Sequence, residues 1–262
     1  MRYIYFVDEV PDIQVLLGQA KNSKRSFGIH FINSYSLACI AIGLIPQRNL
    51  ENSFHIIDGK PLQKYLEIKL GRNLFHNRGA DFLRKNMRFL AHQKVQQTFL
   101  SFDSSSEKLI KQFCLKEQID SSAMNFLTLD EEMKFSQIPY LENPKIPEQS
   151  VVWIFAGTPK QDRIAKSLES RIGLVTVGAG GALDMLTGKT AEAPRYLRQM
   201  SLEWLYRLIQ EPKRLWKRYT FGNIAFIFLI TYDFLSTLLN LKSTKSPNQT
   251  SLSLPDIFFR SD

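Results

Sequence analysis

The chain has 262 residues, a formal charge of +9 and 44% hydrophobic residues, which suit one large globular domain or two small ones. Its two cysteines, Cys39 and Cys114, are too few for a disulfide framework, and no Cys/His cluster has metal-site spacing. The positive charge suits anionic partners such as nucleotides, acidic lipids or nucleic acid. A basic surface without a specific partner explains it equally well. The N-terminal apolar run is too short for a secretory signal, so we expect a cytoplasmic protein.

Short apolar runs alternate with helical patterns along most of the chain. We predict strands at 3–7, 27–33, 54–57, 95–102, 125–129, 151–156 and 174–177. We predict helices at 13–20 and 36–44, and a third that begins within 104–107 and ends at about 117. Three prolines make 134–149 a loop. The alternation predicts an α/β fold with a mainly parallel sheet covered by helices on both faces.

An acidic residue follows the apolar run at 54–57. Asp58 would lie at the carboxyl end of a strand, where open α/β sheets place ligand groups. An ordinary Asp-Gly turn with Gly59 explains the dipeptide as well. The basic stretch at 71–87, which includes Arg78, fits either a segment near the ligand mouth or a solvated helix face.

The strand at 151–156 runs into Gly157-Thr158-Pro159-Lys160-Gln161-Asp162. Thr158 is predicted as the N-cap of a helix, with Pro159 at its first position and Gln161 completing a capping box. The helix start offers free N–H groups to an anion, and Lys160 adds a positive charge. A well-capped turn without a ligand fits the pattern equally well.

The strand at 174–177 runs into a second small-residue turn, Gly178-Ala179-Gly180-Gly181. These glycines allow the backbone to approach a ligand or a neighbouring strand closely. Asp184 lies near the start of the next helix, where it would bind a hydroxyl or only favour the helix dipole. A lone glycine-rich loop is weak support for a nucleotide site.

Taken together, these segments resemble the WecG/TagA/CpsF glycosyltransferases, glycosyltransferase family 26. GTPKQD at 157–162 looks like the family's G-x-P-K-Q-E, with Asp162 replacing Glu, and VGAGGALD at 177–184 is similar to its V-G-x-G-x-x-x-D. AP at 193–194, LEWLYRL at 202–208 and EPKRL at 211–215 resemble its closing motifs. Two positions depart from the family: Phe31 replaces a Thr, and Glu192 replaces the Arg of R-A-P.

The resemblance implies a Rossmann-like enzyme that inverts the anomeric centre. It would move an N-acetylmannosamine-type or related sugar from a UDP-sugar to a polyprenyl-diphosphate-linked saccharide, in cell-wall or exopolysaccharide biosynthesis. It implies Asp58 as catalytic base. The predicted donor contacts are Asn33, Thr158, Lys160, Gln161, Gly178, Gly180 and Asp184, and the predicted diphosphate or membrane contacts are Arg78, Arg207, Arg214 and Arg218.

Many nucleotide-sugar transferases hold a metal with an Asp-x-Asp motif, and this chain has none. Helix N-termini, Lys160 and arginines are available instead, so we predict metal-independent transfer without a cofactor.

Two other functions stay open. Phe31 and Glu192 are compatible with a non-catalytic, membrane-associated polysaccharide-assembly protein on the same fold. An NAD-dependent oxidoreductase would need G-x-G-x-x-G, and Leu183 occupies the position of the last Gly.

Basic residues interleaved with Trp and Tyr fill 195–219 and suit an anionic membrane surface. No nucleic-acid motif accompanies them, and a packed amphipathic helix explains the leucines equally well. The apolar run at 224–241 is about as long as the shortest membrane span, but Asp233 interrupts it. We therefore favour a helix that lies on or dips into the membrane over a true span, with a packed core helix close behind.

We divide the chain into a Rossmann-like glycosyltransferase domain at 1–194, a basic and apolar helical appendage at 195–241 that faces the membrane, and a tail at 242–262. We expect the tail to be disordered apart from a small apolar patch at 257–259. We expect the protein on the inner face of the plasma membrane, with no nucleic-acid partner.

Overall fold

The computed structural model describes residues 3–130, 146–238 and 256–260. The strands are β1 (Tyr3–Val7), β2 (Phe27–Ile32), β3 (Ser53–Ile57), β4 (Gln97–Ser101), β5 (Met124–Thr128), β6 (Val151–Phe155), β7 (Val175–Gly178) and β8 (Asp256–Arg260). The helices are α1 (Ile13–Ser23), α2 (Ser34–Ala41), α3 (Lys60–Leu70), α4 (Gly79–His92), α5 (Ser106–Lys116), α6 (Lys160–Leu168), α7 (Ala182–Leu186), α8 (Arg195–Gln199), α9 (Glu203–Gln210) and α10 (Pro212–Leu238), with a 3₁₀ turn at Gln47–Asn49.

The described strands form one sheet in the order β5-β4-β6-β7-β2-β3-β1-β8, and every pair in it is parallel. The predicted parallel α/β, Rossmann-like fold is confirmed. Because β6, β7, β2 and β3 are neighbours, their carboxyl ends lie side by side at one edge of the sheet. The residues that follow these four strands therefore share one crevice.

Burial on both faces explains why the central strands are apolar throughout. All five residues of β6 are buried, and Trp153 is fully enclosed, with its indole N–H donating to Gln97 Oε1 at 2.9 Å. One face of the sheet packs on α4, α5 and α7, and the other packs on α2, α3 and α6. This two-sided core fixes the sheet edge that carries the crevice.

The turn after β6 differs from the prediction. Helix α6 begins at Lys160, with Pro159 at the N-cap and no side-chain cap, so the predicted capping box is wrong. The Gln161 backbone N–H donates to the Gly157 carbonyl at 3.3 Å, and the Gln161 side-chain Nε2 donates to Thr158 Oγ1 at 3.3 Å. Thr158 thus contacts the Gln161 side chain rather than capping the helix.

The C-terminal appendage consists of α8, α9 and α10. Helix α10 begins at Pro212 and is one continuous helix of 27 residues. Its Phe226 and Leu229 are buried against the body, where Leu229 packs with Ala38 and Ala41 of α2. Within the described ranges, no helix is both long and apolar enough to cross a bilayer.

Asp233, the acidic interruption of the apolar run, is paired rather than placed in lipid. The Tyr65 hydroxyl donates to Asp233 Oδ2 at 2.8 Å, and Lys69 Nζ lies 2.8 Å from the same carboxylate. Both partners belong to α3. The packed-helix interpretation therefore holds for the inward side of α10.

The apolar patch in the predicted tail is part of a strand: Asp256–Arg260 form β8 beside β1, so only the two flanking residues were wrongly predicted as disordered. The rest of the predicted tail, 242–255 and 261–262, lies outside the described residues, as does most of the predicted 134–149 loop.

Candidate active site

A cavity of about 580 Å³ lies at the shared strand edge, enclosed by α2, α4 and the appendage. It collects residues from distant parts of the chain. Nine of the predicted site residues line it: Asn33, Asp58, Arg78, Thr158, Gln161, Gly178, Gly180, Arg207 and Arg218.

Asp58 follows β3 directly, and its backbone N–H donates to the Ile32 carbonyl at 2.9 Å, which fixes it beside the end of β2. Burial raises the pKa of the Asp58 carboxyl to about 6; Glu203 adds to the shift, and Arg207, Arg78 and Arg218 oppose it. A carboxylate with such a pKa is ionised at neutral pH yet basic enough to accept a proton. Asp58 therefore has the properties of a general base.

Asn33 follows β2 and begins α2. Its Oδ1 accepts from the Ser36 backbone N–H at 3.0 Å and from Ser36 Oγ at 3.2 Å. This N-cap fixes the Asn33 side chain at the cavity wall close to Gly59.

The second glycine turn makes room for Gln161. A Cβ at Gly178 would lie 3.1 Å from Gln161 Cδ, and one at Gly180, where φ is +52°, would lie 3.3 Å from Gln161 Oε1. Gln161 Oε1 is buried and has no hydrogen-bond partner in the described part of the chain. The turns after β6 and β7 thus hold the Gln161 side chain at the cavity, with its carbonyl oxygen available to accept a hydrogen bond.

The cavity is strongly cationic. Lys60 and five arginines, Arg78, Arg195, Arg198, Arg207 and Arg218, line it against two carboxylates, Asp58 and Glu203. Arg207 and Arg218 make no ion pair with any described residue, and the Nε atom of each is buried without a hydrogen-bond partner. Guanidinium groups that pair with no protein carboxylate attract anions, and their planar fork matches the geometry of phosphate oxygens.

Arg78, by contrast, is held by protein carboxylates. It donates to Glu203 at 2.8 Å and pairs with Asp81 at 3.1 Å and Glu192 at 3.5 Å. Burial disfavours its charge, but these acids outweigh burial and raise the pKa of Arg78. Arg78 therefore links α4 to the appendage.

Glu192, the charge reversal, lies among arginines. It pairs with Arg84 and lies 3.5 Å from both Arg78 and Arg198. Burial would raise the pKa of Glu192, but Arg84, Arg78 and Arg198 hold it below its usual value. The altered position thus neutralises arginines that line the cavity.

Phe31, the second departure, is buried in the cavity wall. Its ring packs edge-on against Phe82 with centroids 5.3 Å apart, and it lies beside Gly79 at the start of α4. Phe31 therefore joins the apolar core to the cavity and supplies no polar contact.

Three predicted site residues do not line the cavity. Lys160 lies over the Phe102 ring with its Nζ 5.2 Å from the centroid, Asp184 faces Lys189 at 3.9 Å, and Arg214 pairs with Glu211. Sequence reasoning in turn missed several lining residues: Tyr35, Lys60, His76, Arg195, Arg198, Glu203, Trp204 and Tyr219. Burial, with Lys60 and Arg78 nearby, lowers the pKa of His76 to about 4, so this imidazole is neutral at physiological pH.

In the ranges that the structure describes, no group of three His, Cys, Asp or Glu side chains is placed to hold a metal ion.

Comparison with known proteins relates the chain to glycosyltransferases. The model of the WecG/TagA/CpsF glycosyl transferase family matches residues 47–239. The chain is also 23% identical over 198 residues to an N-acetylglucosaminyldiphosphoundecaprenol N-acetyl-beta-D-mannosaminyltransferase of Staphylococcus aureus (strain MW2), covering 74% of this chain and 73% of that protein. The range matched by the family model, 47–239, includes Asp58 and the appendage helices.

Proposed function

Because the chain belongs to the WecG/TagA/CpsF family of glycosyltransferases, we propose that it moves an N-acetylmannosamine-type sugar from a UDP-sugar to a polyprenyl-diphosphate-linked N-acetylglucosamine. The similarity to the staphylococcal transferase supports the lipid-linked acceptor and the type of sugar. Family membership also favours a transferase over the non-catalytic protein and the NAD-dependent oxidoreductase that the sequence left open.

One observation carries the proposal: a basic carboxylate and two unpaired, enclosed arginines share one cavity. Asp58 accepts the proton of the acceptor hydroxyl while the hydroxyl oxygen attacks the anomeric carbon of the donor sugar. The bond from that carbon to the diphosphate oxygen breaks, and UDP leaves with the electron pair from the opposite side, so the configuration inverts. The negative charge that develops on the leaving diphosphate is stabilised by Arg207, and Arg218 binds a diphosphate in the same cavity.

The proposal includes transfer without a metal. A diphosphate needs compensating positive charge, and Arg207 and Arg218, which pair with no described carboxylate, line the cavity and supply it. Arginine forks supply charge and hydrogen bonds together, which is the role that a divalent cation fills in metal-dependent transferases.

A transfer assay tests the reaction directly. Purified protein is incubated with a panel of UDP-sugars and a polyprenyl-diphosphate-linked N-acetylglucosamine, with EDTA or with added Mg²⁺ or Mn²⁺. We expect transfer from UDP-N-acetylmannosamine, with the same rate in EDTA and in metal. Activity that appears only with a metal would overturn the metal-free proposal, and UDP binding without transfer from any donor would favour the non-catalytic alternative.

We also place the protein at an anionic membrane on the cytoplasmic side. The outward side of the appendage exposes large apolar side chains beside Lys213 and Lys217: Ile209, Trp216, Phe221, Ile224, Ile227, Phe228, Phe234 and Leu235. Aromatic and aliphatic side chains next to lysines are typical of helices that lie in the bilayer interface.

Sedimentation with vesicles tests this placement. We expect binding to phosphatidylglycerol-containing vesicles that weakens at high salt, and roughly tenfold weaker binding for Trp216→Ser/Phe228→Ser, because apolar burial and charge both contribute. Leu115→Ser, which alters an even more exposed apolar residue on α5, away from the appendage, is the control. Equal binding by the double variant, the control and the unchanged protein would reject the placement.

A further inference from the structure

Tyr35, the second residue of α2, lies where the appendage meets the body. It lines the cavity from the first turn of α2. Sequence reasoning gave Tyr35 no role, and it carries no charge for catalysis. Its surroundings nevertheless connect it to a residue of the proposed site.

The Tyr35 ring supports Arg218. The guanidinium carbon of Arg218 lies 4.9 Å from the ring centroid, well within the range of a cation–π interaction. No described carboxylate pairs with Arg218, and burial lowers its pKa. In this enclosed position the aromatic face stabilises the guanidinium charge without using the hydrogen-bond donors that an anion needs.

The same ring sets the position of α10. Gly222 lies one helical turn after Arg218, on the same side of α10. A Cβ at Gly222 would lie 2.8 Å from Tyr35 Cδ2, 3.1 Å from its Cβ and 3.4 Å from its Cα. Any side chain here would therefore push α10 away from α2, and the glycine keeps Arg218 over the ring.

We propose that Tyr35 is a positioning residue for Arg218: its ring, packed against Gly222, holds the guanidinium at the cavity so that it binds a diphosphate. This inference rests on the proposed function. The diphosphate could belong to the departing UDP or to the lipid-linked acceptor, and both carry the same recognisable group.

The test compares four variants: Arg218→Ala, Tyr35→Leu, Gly222→Ala and the double variant Tyr35→Leu/Arg218→Ala. Calorimetry gives the Kd for UDP, with uridine as the ligand that lacks phosphate, and steady-state kinetics give kcat and KM for the lipid-linked acceptor. Tyr35→Phe keeps the ring, and Tyr232→Leu, an exposed tyrosine on α10, is the matched control. Circular dichroism confirms that each variant folds.

If Tyr35 acts through Arg218, Tyr35→Leu and Gly222→Ala weaken binding of the same diphosphate ligand as Arg218→Ala, by about 5- to 20-fold. The double variant is then no weaker than Arg218→Ala alone, Tyr35→Phe retains most of the affinity, and uridine binding does not change. A larger change in the Kd for UDP means that Arg218 binds the diphosphate of the sugar donor. A larger change in the KM for the acceptor means that it binds the diphosphate of the lipid.

Two outcomes separate the failures. If Arg218→Ala weakens a diphosphate ligand but Tyr35→Leu does not, or if their effects multiply, the inference is overturned while the proposed function stands. If Arg218→Ala changes neither ligand, the proposed role of Arg218 fails, and the role of Tyr35 fails with it.

Discussion

Asp58→Asn is expected to lower kcat by about 10²- to 10⁴-fold while the protein stays folded, because it removes the only carboxylate besides Glu203 that lines the described cavity. Glu203 is occupied by Arg78 at 2.8 Å, which leaves Asp58 as the group able to take a proton. An amide has nearly the same shape as the carboxyl group and cannot act as a base.

The pH dependence adds a second signature. Burial raises the pKa of Asp58 to about 6, so the base is protonated below that pH. We expect kcat/KM of the unchanged protein to fall about tenfold per unit of pH below 6 and to level off above it. The residual activity of Asp58→Asn should lack this acid limb.

Asp58→Asn is expected to raise the free energy of unfolding at neutral pH although it lowers kcat. The pKa of Asp58 is higher in the folded chain than its usual 3.8, so its contribution to stability is fully present below pH 3.8 and is lost as the pH rises through about 6. Asp58→Asn avoids the buried charge. It should be more stable at pH 7.5 by about 1–3 kcal/mol, and the difference should vanish near pH 4.

Asp184→Asn is the control, because it changes an acid that the sequence placed at the donor but the structure places beside Lys189, outside the cavity. We expect its kcat within about twofold of the unchanged protein. Full activity in Asp58→Asn, or equal losses in the two variants, would remove Asp58 from the role of base.

The sequence predicted the edge of the sheet that carries the site, because small or polar residues follow each apolar run. Asp58, Thr158 and Gly178 belong to separate runs, and only parallel pairing makes their positions neighbours. The strand order itself could not be predicted, since nothing local to β7 indicates that it pairs with both β2 and β6.

Errors within the site arise at single helix positions. Lys160 and Gln161 are consecutive and so point about 100° apart around α6. Gln161 is buried against the glycine turn, while Lys160 is exposed beside Phe102. Because the start of α6 was predicted one residue early, the sequence could not decide which of the two side chains faces the ligand.

Residues that act through tertiary contacts gave no signal in the sequence. His76 is a lone histidine in a polar stretch, and Tyr35 is an aromatic residue in an apolar helix; both reach the cavity only because of what packs around them. The same holds for Glu203, whose charge matters because Arg78 and Asp58 lie nearby.

Arg207→Ala is expected to lower kcat/KM by about 10²-fold, since the proposed function makes Arg207 a preorganised donor to the leaving diphosphate. Arg207 closely approaches the glycine turn: a Cβ at Gly181 would lie 3.0 Å from its Nη2 atom. This contact places the guanidinium beside Gly178 and Gly180, where the donor is expected. Arg207→Lys keeps the charge but loses the planar fork, so we expect an intermediate loss.

Arg214→Ala is the matched control, because it removes an arginine from the same appendage. Arg214 is half exposed, pairs with Glu211 and lies outside the cavity lining, so its loss should change kcat/KM by less than about threefold. A general loss of membrane attraction would affect both variants alike, since each removes one positive charge. A selective loss in Arg207→Ala would instead place the effect in the cavity, whereas equal losses would mean that the appendage arginines act through the membrane surface.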